Sequence, residues 1–207
     1  MHLQNYSIPL PPRSTIIPMP KTFTRRIYTL PLLLKDLGFM LTHMMQIGKT
    51  MRALDRTFVE KIMTVVTAVN GCVYCAWFHA RQAAASGISA EEVRNMVNLQ
   101  FQADAAEEEV PALLFAQHYA ETDRKPDPEM VERLVSAYGE EKARQIQLVI
   151  RMITFGNLSG NTFDAFLSRC KGVRAQNSSA IFEVFFFLIT APALLPMRPV
   201  INRDQKA

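Results

Sequence analysis

Apolar residues recur at three- and four-residue intervals through most of the chain, and few β-branched stretches alternate with period two, so the periodicity predicts helices and no sheet. The spans read as 32–47, 52–69, 72–86, 90–100, 111–121, 128–138, 140–158 and 161–169, behind an extended, proline-rich arm reaching about Pro31. Local signals set several boundaries. Asn70-Gly71 suits a left-handed helix end, Ser89 with Glu92 forms a capping box, Asp127-Pro128 opens a helix, and Gly139 separates two others. The helix over 52–69 is apolar on most faces, through Phe58, Ile62, Val65, Val66 and Val69, which predicts burial. Residues 180–196 are apolar except for Glu183, and their uncharged run falls short of the roughly 20 residues a membrane span needs. A helix packed on the core or on another subunit is expected there. Contact with a membrane surface is the alternative, since Phe185, Phe186 and Phe187 are followed by Arg198, Arg203 and Lys206.

Composition adds the scale of the fold. With 207 residues, 49% hydrophobic and 20% charged, the chain can bury a core of its own. The expected architecture is one all-α domain, a helical bundle, with an arm and first helix over 1–50, a core over 51–170 and a tail over 171–207. The net charge of +4 is unevenly placed: residues 54–169 hold 11 Lys and Arg against 16 Asp and Glu, and the flanks hold 12 against 3. An acidic core without a basic stripe excludes an obvious nucleic-acid footprint. Three cysteines point to a reducing compartment, and no apolar leader segment is evident, so the cytoplasm is the expected location.

The candidate chemistry is concentrated in EKIMTVVTAVNGCVYCAWFH, residues 60–79. At about 100° per residue, Cys72, Cys75 and His79 fall within a sector of roughly 60°, so the three side chains share a helix face. Cys72 follows the helix stop at Gly71 and therefore opens the next helix. There, free backbone N–H groups and the positive end of the dipole lower a thiol below its usual value of about 8.5. Glu60 is the one acidic residue between Phe58 and Ala80, and a carboxylate on so apolar a helix needs a partner. His79 is the nearest candidate. Blander readings stand beside this one. A structural zinc could use Cys72, Cys75 and His79 with Cys170 or Glu60 as fourth ligand. The thiols could be inert core residues, and Glu60 could form an ordinary ion pair. Cys170 has no ligand-spaced neighbour and reads as structural. Gly156 and Gly160 read as a close helix contact, between subunits or within one, and Glu107, Glu108 and Glu109 as solvated charge.

Glu60, Cys72 twelve positions later, and the Cys72-Val73-Tyr74-Cys75-Ala76-Trp77-Phe78-His79 run resemble the thiol signature of the alkylhydroperoxidase D-like branch of the carboxymuconolactone decarboxylase superfamily. The resemblance covers about residues 50–170. It implies an all-helical protein that reduces hydroperoxides through a dithiol/disulfide cycle. Cys75 would attack the peroxide, Cys72 would resolve and meet the external reductant, and Glu60 and His79 would relay protons. No metal or other cofactor is implied beyond an external dithiol, thioredoxin-like or lipoyl-bearing, and homo-trimers or hexamers are the expected assemblies. Tyr74 stands where the name-giving branch has histidine, so Tyr74 is a possible but weakly basic relay member. The decarboxylase branch lacks the paired cysteines; a protein of that type with other or no peroxidase activity, or a zinc-stabilised interaction module, are the alternatives.

Overall fold

The computed structural model describes residues 23–103 and 105–204, and the described residues form eight α-helices. An extended strap over 23–29 leads into α1 (Leu30–Ala53), then α2 (Arg56–Asn70), α3 (Val73–Ala85), α4 (Ala90–Val97), a 3-10 turn (Phe101–Ala103), α5 (Val110–Glu121), α6 (Pro128–Arg169), α7 (Ala180–Leu194) and α8 (Met197–Asp204). Most of the expected proline-rich arm lies outside the described residues. Pro31 belongs to the first turn of α1, where its missing N–H has no helical partner to lose.

α2 is the axis of the bundle. Phe58, Val59, Ile62, Met63, Val65 and Val66 are all buried, and α3, α4, α5 and α6 pack around them. Ile62, Val65 and Val66 are wholly enclosed, which is why this helix reads as apolar on most faces. Its buried cation, Lys61, is stabilised by Glu92 at 2.7 Å and Glu109 at 2.6 Å. Burial alone would lower the ammonium pKa, but the hydrogen bonds it donates to Glu109 and Glu92 outweigh that and hold it above its ordinary value. Glu109 is therefore part of a buried ion network, while Glu107 and Glu108 are exposed as expected.

Two helix boundaries differ from the expected ones. The helix placed over 52–69 is divided at Leu54 and Asp55, because Asp55 caps α2 by accepting the Phe58 N–H at 2.9 Å, and α1 runs on past Gly48 to Ala53. Conversely, the break expected between Leu158 and Asn161 is absent, and α6 continues to Arg169. The polar residues that suggested a break are consumed across the helix interface. Asn157 exchanges two 2.9 Å hydrogen bonds with Thr67 of α2, and Asn161 donates to the Asn70 carbonyl at 2.8 Å. Gly139 does interrupt the helical backbone, at φ 73°.

The tail packs on α6, as one of the expected alternatives had it. Phe186 is buried beside Tyr28 and Leu158, and Glu183 is 0% exposed, ion-paired with Arg169 and hydrogen-bonded to Ser178. The other face of α7, with Ile181, Phe185, Leu188 and Ile189, is exposed, as are Leu34, Leu41, Met44 and Met45 on α1. No single described helix is long and apolar enough to cross a membrane; α7 and α8 reach that composition only as a pair bent by 69°. Removing one partner of a buried pair strands the other charge, so Glu183→Ala is expected to lower stability by about 3 kcal/mol in urea unfolding. A loss near zero would mean that Arg169 finds water instead.

Candidate active site

Three local choices build the site. Gly71, at φ 68°, ends α2 in the left-handed conformation that asparagine-glycine pairs supply cheaply. The chain then turns at once into α3, with Cys72 as the N-cap: its Sγ accepts the Cys75 backbone N–H at 3.3 Å, in the role a serine or aspartate usually takes. Cys75 lies one turn on, and its Sγ is 2.7 Å from that of Cys72. That separation is about 0.7 Å beyond a covalent S–S bond of about 2.0 Å, so the pair can close with little backbone movement.

Cys72 is 0% exposed, enclosed by Tyr74, Phe163 and Ile201, and Cys75 is partly exposed. A hydrogen bond links the two sulfurs. The hydrogen bond from Cys75, helped by the backbone N–H and the charge of Arg25, holds Cys72 below the ordinary thiol value against its burial. The same hydrogen bond, followed by burial, pushes the Cys75 thiol up. The sequence-based expectation of an acidified Cys72 at a helix start therefore has its geometry here. The resemblance has the external reductant approach Cys72; in the structure that residue is buried and Cys75 is partly exposed.

Glu60 and His79 are brought together as a second pair. His79 Nδ1 lies 2.8 Å from Glu60 Oε2, and both residues are buried, with the imidazole against the edge of Phe78. His79 is one helical turn beyond Cys75 on the same face of α3. Tyr74 points elsewhere: its hydroxyl donates to Asp164 Oδ1 at 2.7 Å, and burial together with that carboxylate raises its pKa, so the phenol serves as an anchor to α6.

The remaining contributors were hidden from sequence reasoning. A Cβ on Gly160 would sit 2.6 Å from Cys72 Sγ, so the small residue read as a general helix contact makes room for the reactive sulfur itself. Arg25, from the strap, donates to Asp164 at 2.9 Å, to Asn161 Oδ1 at 3.2 Å and to the Gly71 carbonyl at 3.3 Å. Neither has a local sequence signal, since their partners are 46 to 139 positions away for Arg25 and 88 for Gly160. Cys170 is exposed beyond the end of α6. No group of three or more His, Cys, Asp or Glu side chains among the described residues is arranged to hold a metal ion, so the zinc alternative finds no ligand set.

No curated protein and no solved structure matches this chain. A family model does match, from residue 37 in α1 to residue 118 in α5, a shorter stretch than the resemblance suggested and one without α6. It encloses Glu60, Cys72, Cys75 and His79. Over residues 37–118 the chain is thus similar to the carboxymuconolactone decarboxylase family.

Proposed function

We propose that this protein is a thiol-dependent oxidoreductase that reduces hydroperoxides by cycling Cys72 and Cys75 between dithiol and disulfide. The observation that carries the reading is the 2.7 Å sulfur separation at a helix start, with one sulfur enclosed and the other within reach of solvent. A buried, inert pair would have no use for an acidified N-cap sulfur next to a partly open one.

In the reduced state the proton shared by the pair sits on Cys75. Its passage to Cys72 leaves Cys75 as thiolate, which attacks one peroxide oxygen as the O–O bond breaks. Cys75 becomes a sulfenic acid, and the departing alkoxide takes a proton from His79, held in orientation by Glu60, to leave as alcohol. Cys72 then attacks the Cys75 sulfur, its proton leaving with the displaced hydroxide as water, and the disulfide forms. An external dithiol, thioredoxin-like or lipoyl-bearing, attacks the accessible Cys75 and expels Cys72 as thiolate, a good leaving group because it is acidified. The donor's second thiol completes its own disulfide and restores Cys75. Hydroperoxide and dithiol become alcohol, water and a disulfide. The exposed apolar residues of α1 and α7 are, on the same reading, contacts between copies in a homo-trimer or hexamer.

In a Cys170→Ser background, peroxide is expected to consume two thiols per chain, none with Cys75→Ser added, and to leave a trappable sulfenic acid with Cys72→Ser. Equal, slow consumption by all three proteins in stopped-flow traces would remove the peroxidase reading and leave a disulfide reductase in its place. Glu60→Gln should slow peroxide reduction by about a hundredfold with thiol content unchanged. Gly160→Ala should displace Cys72 Sγ and slow disulfide closure after sulfenic acid has formed, a lag visible as longer-lived dimedone labelling. Sedimentation equilibrium should give a multiple of the chain mass; a single-chain mass excludes the assembly.

A further inference from the structure

The strap before α1 is not a passive leader to the bundle. Phe23 is buried against Ala165 and Ala175 and pairs with the 174–175 backbone, and Tyr28, 0% exposed, donates its backbone N–H to Thr162 at 2.8 Å. Between these two anchors Arg25 reaches the turn that precedes Cys72. Its guanidinium sits over the Phe23 ring at 4.6 Å and forks across the Gly71 carbonyl, Asn161 and Asp164. Its side chain also fills the space against Gly71: a Cβ there would lie 3.3 Å from Arg25 Cδ. Because Gly71 directly precedes Cys72, and Asn161 also binds the Asn70 carbonyl, one arginine closes the turn that presents the reactive sulfur.

We propose that Arg25 is a positioning residue of the dithiol site: it clamps the Asn70–Gly71 turn from outside the helical core and holds a positive charge near Cys72. This rests on the reading of Cys72 and Cys75 as a redox pair, but not on peroxide as the substrate. The charged and titratable groups around Cys72 are few. Cys75 and Tyr74 come from α3, Arg25 from the strap and Asp164 from α6; α8 adds Arg198 beside Tyr74, and Gly160 and Phe163 of α6 and Ile201 of α8, which also pack there, carry no charge. Arg25 and Asp164 act on the sulfur with opposite sign, Arg25 favouring the thiolate and Asp164 opposing it. A guanidinium suits the post because its fork binds a carboxylate and two oxygens at once while keeping its charge at every working pH.

Opposite signs make the test. In a Cys75→Ser/Cys170→Ser background Cys72 is the one sulfhydryl left, and its ionisation can be followed by ultraviolet thiolate absorbance against pH, without peroxide or reductant. Arg25→Gln is expected to raise the midpoint and cut the thiolate fraction at neutral pH about three- to tenfold. Asp164→Asn should lower the midpoint, and Arg25→Lys should stay near the parent. Circular dichroism confirms folding of each variant. An Arg25→Gln midpoint equal to the parent's, or movement of the Gln and Asn variants in the same direction, overturns the proposal; if Arg25→Gln does not fold, an Asp164→Asn midpoint that fails to fall overturns it. Since no peroxide enters the assay, its outcome is separate from that of the peroxidase reading.

Discussion

The site depends on how closely α6 passes the end of α2. Gly160 has no side chain where Cys72 Sγ must sit, and the asparagines on either side of it, Asn157 and Asn161, reach across to Thr67 and to the Asn70 carbonyl. These are buried polar groups whose partners are each other, so their hydrogen bonds cannot be traded for water if the helices separate. Register between α2 and α6 is thereby specified to a single turn, and the left-handed Gly71, the cap at Cys72 and the sulfur separation follow from it. A slightly larger residue or a slipped register would move the sulfur before it moved the core.

The same economy governs charge. Glu60 with His79, Lys61 with Glu92 and Glu109, and Glu183 with Arg169 are each paired within the fold. A buried ion pair adds little net stability over an apolar replacement, but leaving one member alone is costly, so each pair fixes the position of the elements it joins. Lys61 ties α2 to α4 and to the start of α5, and Glu183 ties the tail to α6. Glu60 with His79 joins α2 to α3 beside the thiols. The last pair differs because its imidazole lies one helical turn beyond a partly open sulfur on α3.

Much of this was legible along the chain because it depends on neighbours. Asn70-Gly71 announces a helix stop through its own backbone preferences, Ser89 and Glu92 cap α4 across three residues, and Gly139 breaks a helix where it stands. Cys72, Cys75 and His79 share a face because helical geometry over seven residues leaves no alternative. Where the reading of boundaries failed, distance was the cause. Asp55 divides two apolar helices without a glycine or proline to mark it. The break placed between Leu158 and Asn161 is absent, because the amides of Asn157 and Asn161 bind α2 and the helix runs on.

Local preference and periodicity thus settled the all-helical architecture, the apolar character of α2 and the start of a helix at Cys72. Which sulfur is enclosed and what lies around it came from packing between segments far apart in the chain. Burial and electrostatic fields are summed over whatever surrounds an atom in space. Arg25, Gly160 and Asp164 reach Cys72 across gaps of 47 to 92 residues, and no spacing rule along a chain can register a neighbour at that range.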